Sequence, residues 1–353
     1  MDNITEINQR LMKEFAEVLV LMIPSSLFEV VCICGLARAL RASTGTDIVV
    51  IVRPEHADVA QLYRKDISAV LTTTCKVMLA LTEIHKNQAL GRPQKGIPYC
   101  ATPWVDPANR LIRIHDLIEE RPGFGISLID LCRYALGLEW HAPLSLARLD
   151  QETQAWGVEY CARNLISRDR AVLILPGANS TVPMKVEIWQ EVANFYKLKG
   201  WQVLLNHKGS TWIPKGIGFL GENINLSVKQ TLAVVETIGS VITAGSGIVG
   251  AFLATQVNAS VHCLSPRILL ANSVDDGRQQ FIPKSASTNF FYVAPELINA
   301  SENFYQWQVP ENESDYEFFL EDLFRGIRNR FTMKPSMDKK LADVYFERLL
   351  VRD

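Results

Sequence analysis

Apolar β-rich runs alternate with helix-length amphipathic segments through most of the chain, and this alternation constrains the fold more than any other feature. It is the pattern of parallel strands buried on both faces and joined by crossover helices. Each such strand must be apolar throughout, whereas each helix needs only one apolar stripe. The first array has strands at Val18–Ile23, Asp47–Val52 and Ser68–Thr73. Helices run from the Pro24-Ser25-Ser26 turn through Arg41, over Cys75–Asn87 and over about Ile126–Leu138. Pro93 to Pro107 is rich in turn residues and reads as a loop carrying Trp104, and Trp140–Asp150 reads as a linker. The pattern then restarts with helix Gln151–Ile166, strand Ala171–Leu175, helix Pro183–Lys199 and strand Gln202–Asn206. A polar loop through Gly221 leads to helix Ser227–Ile238, strand Ser240–Thr243, a second crossover helix and strand Val261–Leu264. The expected class is α/β, two Rossmann-like βαβ domains facing a cleft, residues 1–150 and 151–336. A last helix at Met337–Val351 packs back on the first domain.

Charge and cysteine usage exclude several functions. The formal net charge of -2 supplies no bulk field for nucleic acid, and it limits any membrane contact to a peripheral one. The seven cysteines are scattered and odd in number, as buried thiols of a reducing compartment are. Cys32-Ile-Cys34 lacks a second pair or a histidine cluster, so no metal is expected. The apolar run Phe15–Pro24 is interrupted by Glu17, is too short to span a bilayer and lacks a basic leader. The reading is cytoplasmic, extending to the inner face of a membrane.

In a doubly wound sheet every strand-to-helix turn lies at one edge, so turns far apart in sequence converge. Three stand out. The first, Pro24 to Val30, places Glu29 at the start of a helix, where a carboxylate can act as general base or simply complement the helix dipole. The second, Pro176 to Lys185, carries Ser180, Thr181 and Lys185, which can hold a diphosphate or cap the helix that follows. The third, Val241 to Ala254, breaks an apolar run at Gly245-Ser246-Gly247-Ile248. Its glycines can take backbone angles closed to other residues and admit a ligand, and the first-turn amides favour an anion.

These turns resemble those of the lipopolysaccharide heptosyltransferase family, which has the glycosyltransferase-B fold. Ser25-Ser26-Leu27-Phe28-Glu29-Val30 is similar to the family's Ser-Ser-Met-Gly-Asp-Val turn, and Leu36-Ala37-Arg38-Ala39-Leu40 to the end of its helix. Pro176-Gly177, Ser180-Thr181, Lys185 and Trp189 look like the opening of its second domain, and Ala244–Ala254 like its late motif. Glu29 stands where the family has its aspartate base, Phe28 where it has glycine, and Gly245 and Gly250 where it has aspartate and histidine.

The resemblance implies a metal-independent, inverting glycosyltransferase without a cofactor, taking a nucleotide-diphosphate sugar as donor and a glycan or lipid-linked glycan as acceptor. Glu29 is then the base, and Ser180, Thr181, Lys185, Gly245, Ser246, Gly247 and Ile248 hold the diphosphate. Asn206, His207 and Lys208 fall at the nucleoside, while Ser25, Ser26, Arg64 and Arg110 fall at the acceptor. No carboxylate stands near Asn206 for a donor ribose, which leaves the nucleotide open. Two other readings stay open: a nucleotide-sugar epimerase, for which His207 and His262 are the available histidines, and a non-catalytic binding or assembly protein.

Overall fold

The computed structural model describes residues 4–24, 26–85, 92–102, 127–168, 170–177, 184–208, 216–266, 296–297, 301, 303–310 and 313–329. Two parallel sheets form the frame. The first contains β1 (Leu19–Ile23), β2 (Ile48–Val52), β3 (Ala69–Thr72) and β4 (Pro98–Cys100) in the order β3-β2-β1-β4. The second contains β5 (Ala171–Leu175), β6 (Gln202–Asn206), β7 (Glu222–Ile224), β8 (Ser240–Ala244), β9 (Ser260–Pro266) and β10 (Phe304–Val309) in the order β10-β9-β8-β5-β6-β7. Each sheet therefore grows to one side of its first strand and then reverses to the other. The reversals fall between β1 and β4 and between β5 and β8.

Alternating side chains of each strand face two different cores. Leu19, Leu21 and Ile23 of β1 and Ala171, Leu173 and Leu175 of β5 belong to one continuous cluster shared by both sheets. It is filled by α2 (Leu27–Thr44), α3 (Ala57–Gln61), α5 (Leu128–Ala135), α6 (Gln151–Arg163), α8 (Val228–Ile238) and α9 (Gly247–Thr255). The opposite face of the first sheet, Val20 and Met22 with Ile51, packs on α1 (Ile4–Glu14) and α4 (Cys75–His85). Val172 and Ile174 on the far face of the second sheet pack on α7 (Val186–Leu198) and α10 (Tyr316–Asn329).

The joint between the two halves is tight. A Cβ added to Gly250 of α9 would lie 2.0 Å from Phe28 Cδ2, and one on Gly247 would lie 3.0 Å from Leu27 Cβ. Phe28 thus occupies the groove that the bare Gly250 leaves in α9. The stretch read as a linker is a strap laid along this joint. Ser145 N–H donates to Gly35 O of α2 at 2.7 Å, and Ala147 N–H donates to Ala254 O of α9 at 3.0 Å. Further ties are polar: Ser227 Oγ donates to Asp58 Oδ2 at 2.7 Å, and Arg133 of α5 grips Glu296 through both terminal nitrogens at 2.6 and 2.7 Å.

Elements α1, α3, β4, β7, β10 and α10 have no counterpart in the sequence reading. Strands β4 and β7 span only three residues each, too few for a periodic signal. The expected helix at Met337–Val351 and Trp104 lie outside the described residues.

Two outcomes follow from this packing. Gly250→Ala overpacks the joint and lowers unfolding free energy by about 1–3 kcal/mol. Adding Phe28→Leu relieves the overlap, so a double-mutant cycle in urea should give a favourable coupling of roughly 0.5–3 kcal/mol; additive effects would show that the ring and the bare glycine are not one unit. The second concerns acid. Burial holds His262 down to about 3, and burial with the nearby Arg53 charge holds His56 down to about 4. Both fold as neutral rings, so their contribution is complete above the unfolded value of about 6.5. As pH falls below that value the unfolded chain takes up protons first. Stability should therefore drop by up to about 1.4 kcal/mol per pH unit for each ring until the folded values are reached. Urea midpoints between pH 7 and 4 should fall less steeply in His262→Asn than in the parent chain.

Candidate functional site

At the β1/β4 reversal the chain builds a carboxylate bridge. The Ser26-Leu27-Phe28-Glu29 sequence has the spacing of a capping box, and the structure closes it. Glu29 N–H donates to Ser26 Oγ at 3.4 Å, and Ser26 N–H donates to Glu29 Oε2 at 2.7 Å. The other oxygen, Oε1, accepts from the Thr102 hydroxyl at 3.2 Å, just beyond the end of β4. Glu29 at this helix start is therefore held by its capping box and by Thr102. It is 1% exposed and is fixed between the ends of two adjacent strands. Thr102 escaped the sequence reading because it sits in the segment taken for a loop.

At the β5/β8 reversal the chemistry is different. Helices α2, α5, α6 and α8 are each capped by their own side chain, from Ser26, Ser127, Asp150 and Ser227. Helices α7 and α9 begin beside Lys185 and Ser246 with no side-chain cap. They follow β5 and β8, the hydrogen-bonded neighbours that flank the reversal, so both crossovers that leave the reversal enter their helices without a side-chain cap. The first-turn N–H groups of a helix have no intrahelical acceptor and lie at the positive end of its dipole, so each uncapped start favours an anion.

The glycines of the Gly245-Ser246-Gly247 turn serve packing rather than unusual backbone angles. None of Gly245, Gly247 and Gly250 is among the glycines with positive φ. A Cβ on Gly245 would lie 2.8 Å from Ser265 Oγ, a hydroxyl that accepts from Gln306 Nε2 at 3.1 Å. Gly247 and Gly250 leave room for Leu27 and Phe28. The same contact brings the start of α2, with Ser26 and Glu29, against the start of α9, with Ser246, Gly247 and Ile248. Ser246, Gly247 and Ile248 remain half-buried rather than sealed.

The remaining expected residues divide. Asn206 does not face a nucleoside, because its side chain is turned into the start of α8. Its Nδ2 donates to Leu226 O and Thr231 Oγ1 at 3.2 and 2.9 Å, and its Oδ1 accepts from the N–H groups of Leu226 and Lys208. His207 is half-buried and Lys208 exposed beside it. Lys185 is exposed, forms an ion pair with Glu313 that raises its pKa, and lies 6.0 Å from the ring centre of Tyr316. Arg64 lies 3.8 Å from Asp150, which also caps α6 and takes Lys229 at 3.4 Å. Asp150, the last residue of the first half, thus takes Arg64 from its own half and Lys229 and the start of α6 from the second. His262 is a core residue: Trp307 Nε1 donates to its Nδ1 at 3.1 Å, and its ring stacks on Tyr305. Ser25, Ser180, Thr181 and Arg110 lie outside the described residues. Among the described residues no group of three or more His, Cys, Asp or Glu side chains is placed to hold a metal, and no helix is long and apolar enough to cross a membrane.

No protein-family model and no curated protein sequence matches the chain. Solved structures do. The ADP-heptose lipopolysaccharide heptosyltransferase II of E. coli aligns with 88% of this chain and 98% of its own, at 14% identity and a TM-score of 0.54. A glycosyl transferase family 9 protein of Veillonella parvula aligns with 96% of this chain and 99% of its own, at 11% identity and a TM-score of 0.51. The likeness runs nearly end to end in both directions and covers both sheets. The resemblance first visible in the turn residues thus extends to the whole fold, which is the two-sheet α/β fold of the glycosyltransferase-B type.

Proposed function

We propose that the chain is an inverting, metal-independent glycosyltransferase that moves a sugar from a nucleotide-diphosphate donor to a glycan or lipid-linked glycan acceptor. In this reading residues 1–150 receive the acceptor and residues 151–336 the donor, in the cytoplasm or at the inner face of a membrane. The observation that carries it is the pair of uncapped helix starts across the β5/β8 reversal, set against the carboxylate bridge of the β1/β4 reversal.

The amides of Gly247 and Ile248, the Ser246 hydroxyl and Lys185 bind the diphosphate, with Ser180 and Thr181 from the same turn. His207 and Lys208 lie toward the nucleoside, and Ser25, Ser26, Arg64 and Arg110 toward the acceptor. Glu29 takes the proton from the acceptor hydroxyl as that oxygen bonds to the anomeric carbon from the face opposite the leaving group. The bond to the diphosphate breaks in the same step, and the negative charge gathered on the departing phosphate is met by the helix amides. Holding Glu29 in one orientation through Ser26 and Thr102 means that little reorganisation is needed when the acceptor arrives.

A second reading is favoured by one observation. Phe28 fills the groove beside Gly250, and Glu29 is nearly sealed, an arrangement suited to a chain that binds a nucleotide sugar without transferring it.

Calorimetric titration with a panel of nucleoside diphosphates and their sugars separates the possibilities. Binding is expected, weakened about five- to tenfold in Ser246→Ala, the loss of roughly one hydrogen bond. Absence of binding to the whole panel would sink both readings. For transfer, Glu29→Gln should keep nucleotide affinity and slow release of nucleoside diphosphate in the presence of acceptor by about 10²–10⁴. Unchanged turnover in that variant would remove the base assignment, and a parent chain that binds donor but never turns over would establish the second reading.

A further inference from the structure

The end of the second sheet remote from the candidate site carries three large apolar side chains in solvent. Leu165 is 88% exposed, Leu198 89% and Phe219 91%. Each lies just ahead of one of three neighbouring strands: Leu165 after α6 and ahead of β5, Leu198 at the end of α7 ahead of β6, and Phe219 in a 3-10 turn ahead of β7. Neighbouring parallel strands lie about 4.8 Å apart, so the three tips line one edge of the sheet. Scattered single apolar residues are ordinary on a surface, but three of them ahead of neighbouring strands form a set.

The backbone holds Leu165 out at a cost. It has φ 55°, the left-handed position after a helix that glycine usually takes, and its neighbours close the helix end through Ile166 N–H to Cys161 O at 2.8 Å. A glycine would serve the turn better and an inward leucine would serve the core. This leucine does neither.

The charge around the tips departs from the chain's slightly acidic balance. Arg163 ends α6 and Lys197 stands in the last turn of α7, while Arg168, Arg170 and Lys199 follow on the chain leading into β5 and β6, and all are exposed. Arg163 pairs with Glu159, and Lys199 lies 4.0 Å from the Phe195 ring centre. Acids on the surrounding elements are largely engaged: Glu159 with Arg163, Glu222 with Gln202, Glu236 with the Asn258 N–H, and Asp322 with Arg325 on α10, where Glu321 also stands. Asp169 also falls in this sequence and lies outside the described residues. Isolated apolar tips separated by arginine and lysine match a bilayer interface, where rings and aliphatic chains enter the acyl boundary and cations meet anionic headgroups. A protein partner is better served by a contiguous apolar patch.

We propose that this basic, three-tipped edge of the second sheet docks the chain on an anionic membrane surface. The edge is opposite the strand ends from which the chain enters α7 and α9, so docking leaves the candidate site uncovered. The inference stands whether or not the chain transfers a sugar, because lipid binding is read without any substrate.

Co-sedimentation of the full chain with vesicles tests it directly. The chain should bind vesicles containing phosphatidylglycerol, release from them at high salt, and bind pure phosphatidylcholine weakly. Arg168→Gln with Arg170→Gln and Lys197→Gln should weaken anionic-vesicle binding by on the order of a hundredfold, at about tenfold or less per charge removed. The Leu165→Ser, Leu198→Ser, Phe219→Ser variant should lose binding while keeping the parent's melting profile, because these side chains bury almost none of their surface. Failure of the parent to bind phosphatidylglycerol vesicles at low salt would overturn the proposal. So would apolar-tip variants that bind as the parent does, or sedimentation velocity showing that the tips hold two copies of the chain together instead.

Discussion

The joint between the two halves depends on one contact, the start of α2 set against α9. Phe28 enters the space left by Gly250, and Leu27 lies on Gly247. Burial of a phenylalanine side chain contributes roughly 1.5–3 kcal/mol, and here that contribution is available only in one relative placement of the two helices. A bulkier residue at 250 would push α9 outward, and a smaller one at 28 would leave a void. The strap at Ser145 and Ala147 runs beside the contact and bonds to the backbone of both helices, so the same placement is fixed twice. Because α2 follows β1 and α9 follows β8, fixing the helices also fixes the two sheet reversals relative to one another.

Topology explains why chemistry collects there. Where strand order reverses, the helices on either side of the reversal diverge to opposite faces of the sheet and leave a crevice at the strand ends. In the first sheet the crevice is bridged by the chain's own carboxylate, which ties Ser26 to Thr102. In the second, the two flanking helices begin without side-chain caps, although four other helices of the chain are capped. One reversal is therefore closed by the chain's own carboxylate, and at the other the helices start without a side-chain cap. The joint places them next to each other.

Much of this frame was readable from residues alone, because strands such as Leu19–Ile23, Ile48–Val52 and Ala171–Leu175 are buried on both faces and so are apolar without interruption. Strands of three residues, β4 and β7, have no such signature, and with β4 went Thr102. The third turn shows a different limit. Gly245 and Gly247 read as places where a ligand comes close to the backbone, and Gly250 only as the place of a missing histidine. What approaches is Ser265, Leu27 and Phe28, none of which is near them in sequence. A small residue reports that room is needed and not who uses it. Asn206 failed for a related reason: a polar residue ending a buried strand can face a ligand or bond to the next helix, and only the position of Leu226 and Thr231 decides.

The extra methylene of Glu29 has a physical reason that the sequence alone did not supply. A second capping box in the same chain, Ser127 with Asp130, closes with the shorter carboxylate: Ser127 N–H reaches Asp130 Oδ2 at 2.9 Å, and Asp130 N–H reaches Ser127 Oγ at 3.1 Å. Capping therefore does not require a glutamate. The free oxygen of Asp130 is confined to its own helix, where it takes Arg133 one turn on. Glu29 caps its helix with one oxygen and, with the longer arm, carries the other across to the end of β4. An aspartate at 29 could close the same box, but its second oxygen would stop short of Thr102 by about one carbon–carbon bond, roughly 1.5 Å. The residue choice at 29 thus follows from the width of the sheet reversal it must bridge. It is this bridge, rather than the cap, that sets where the carboxylate stands.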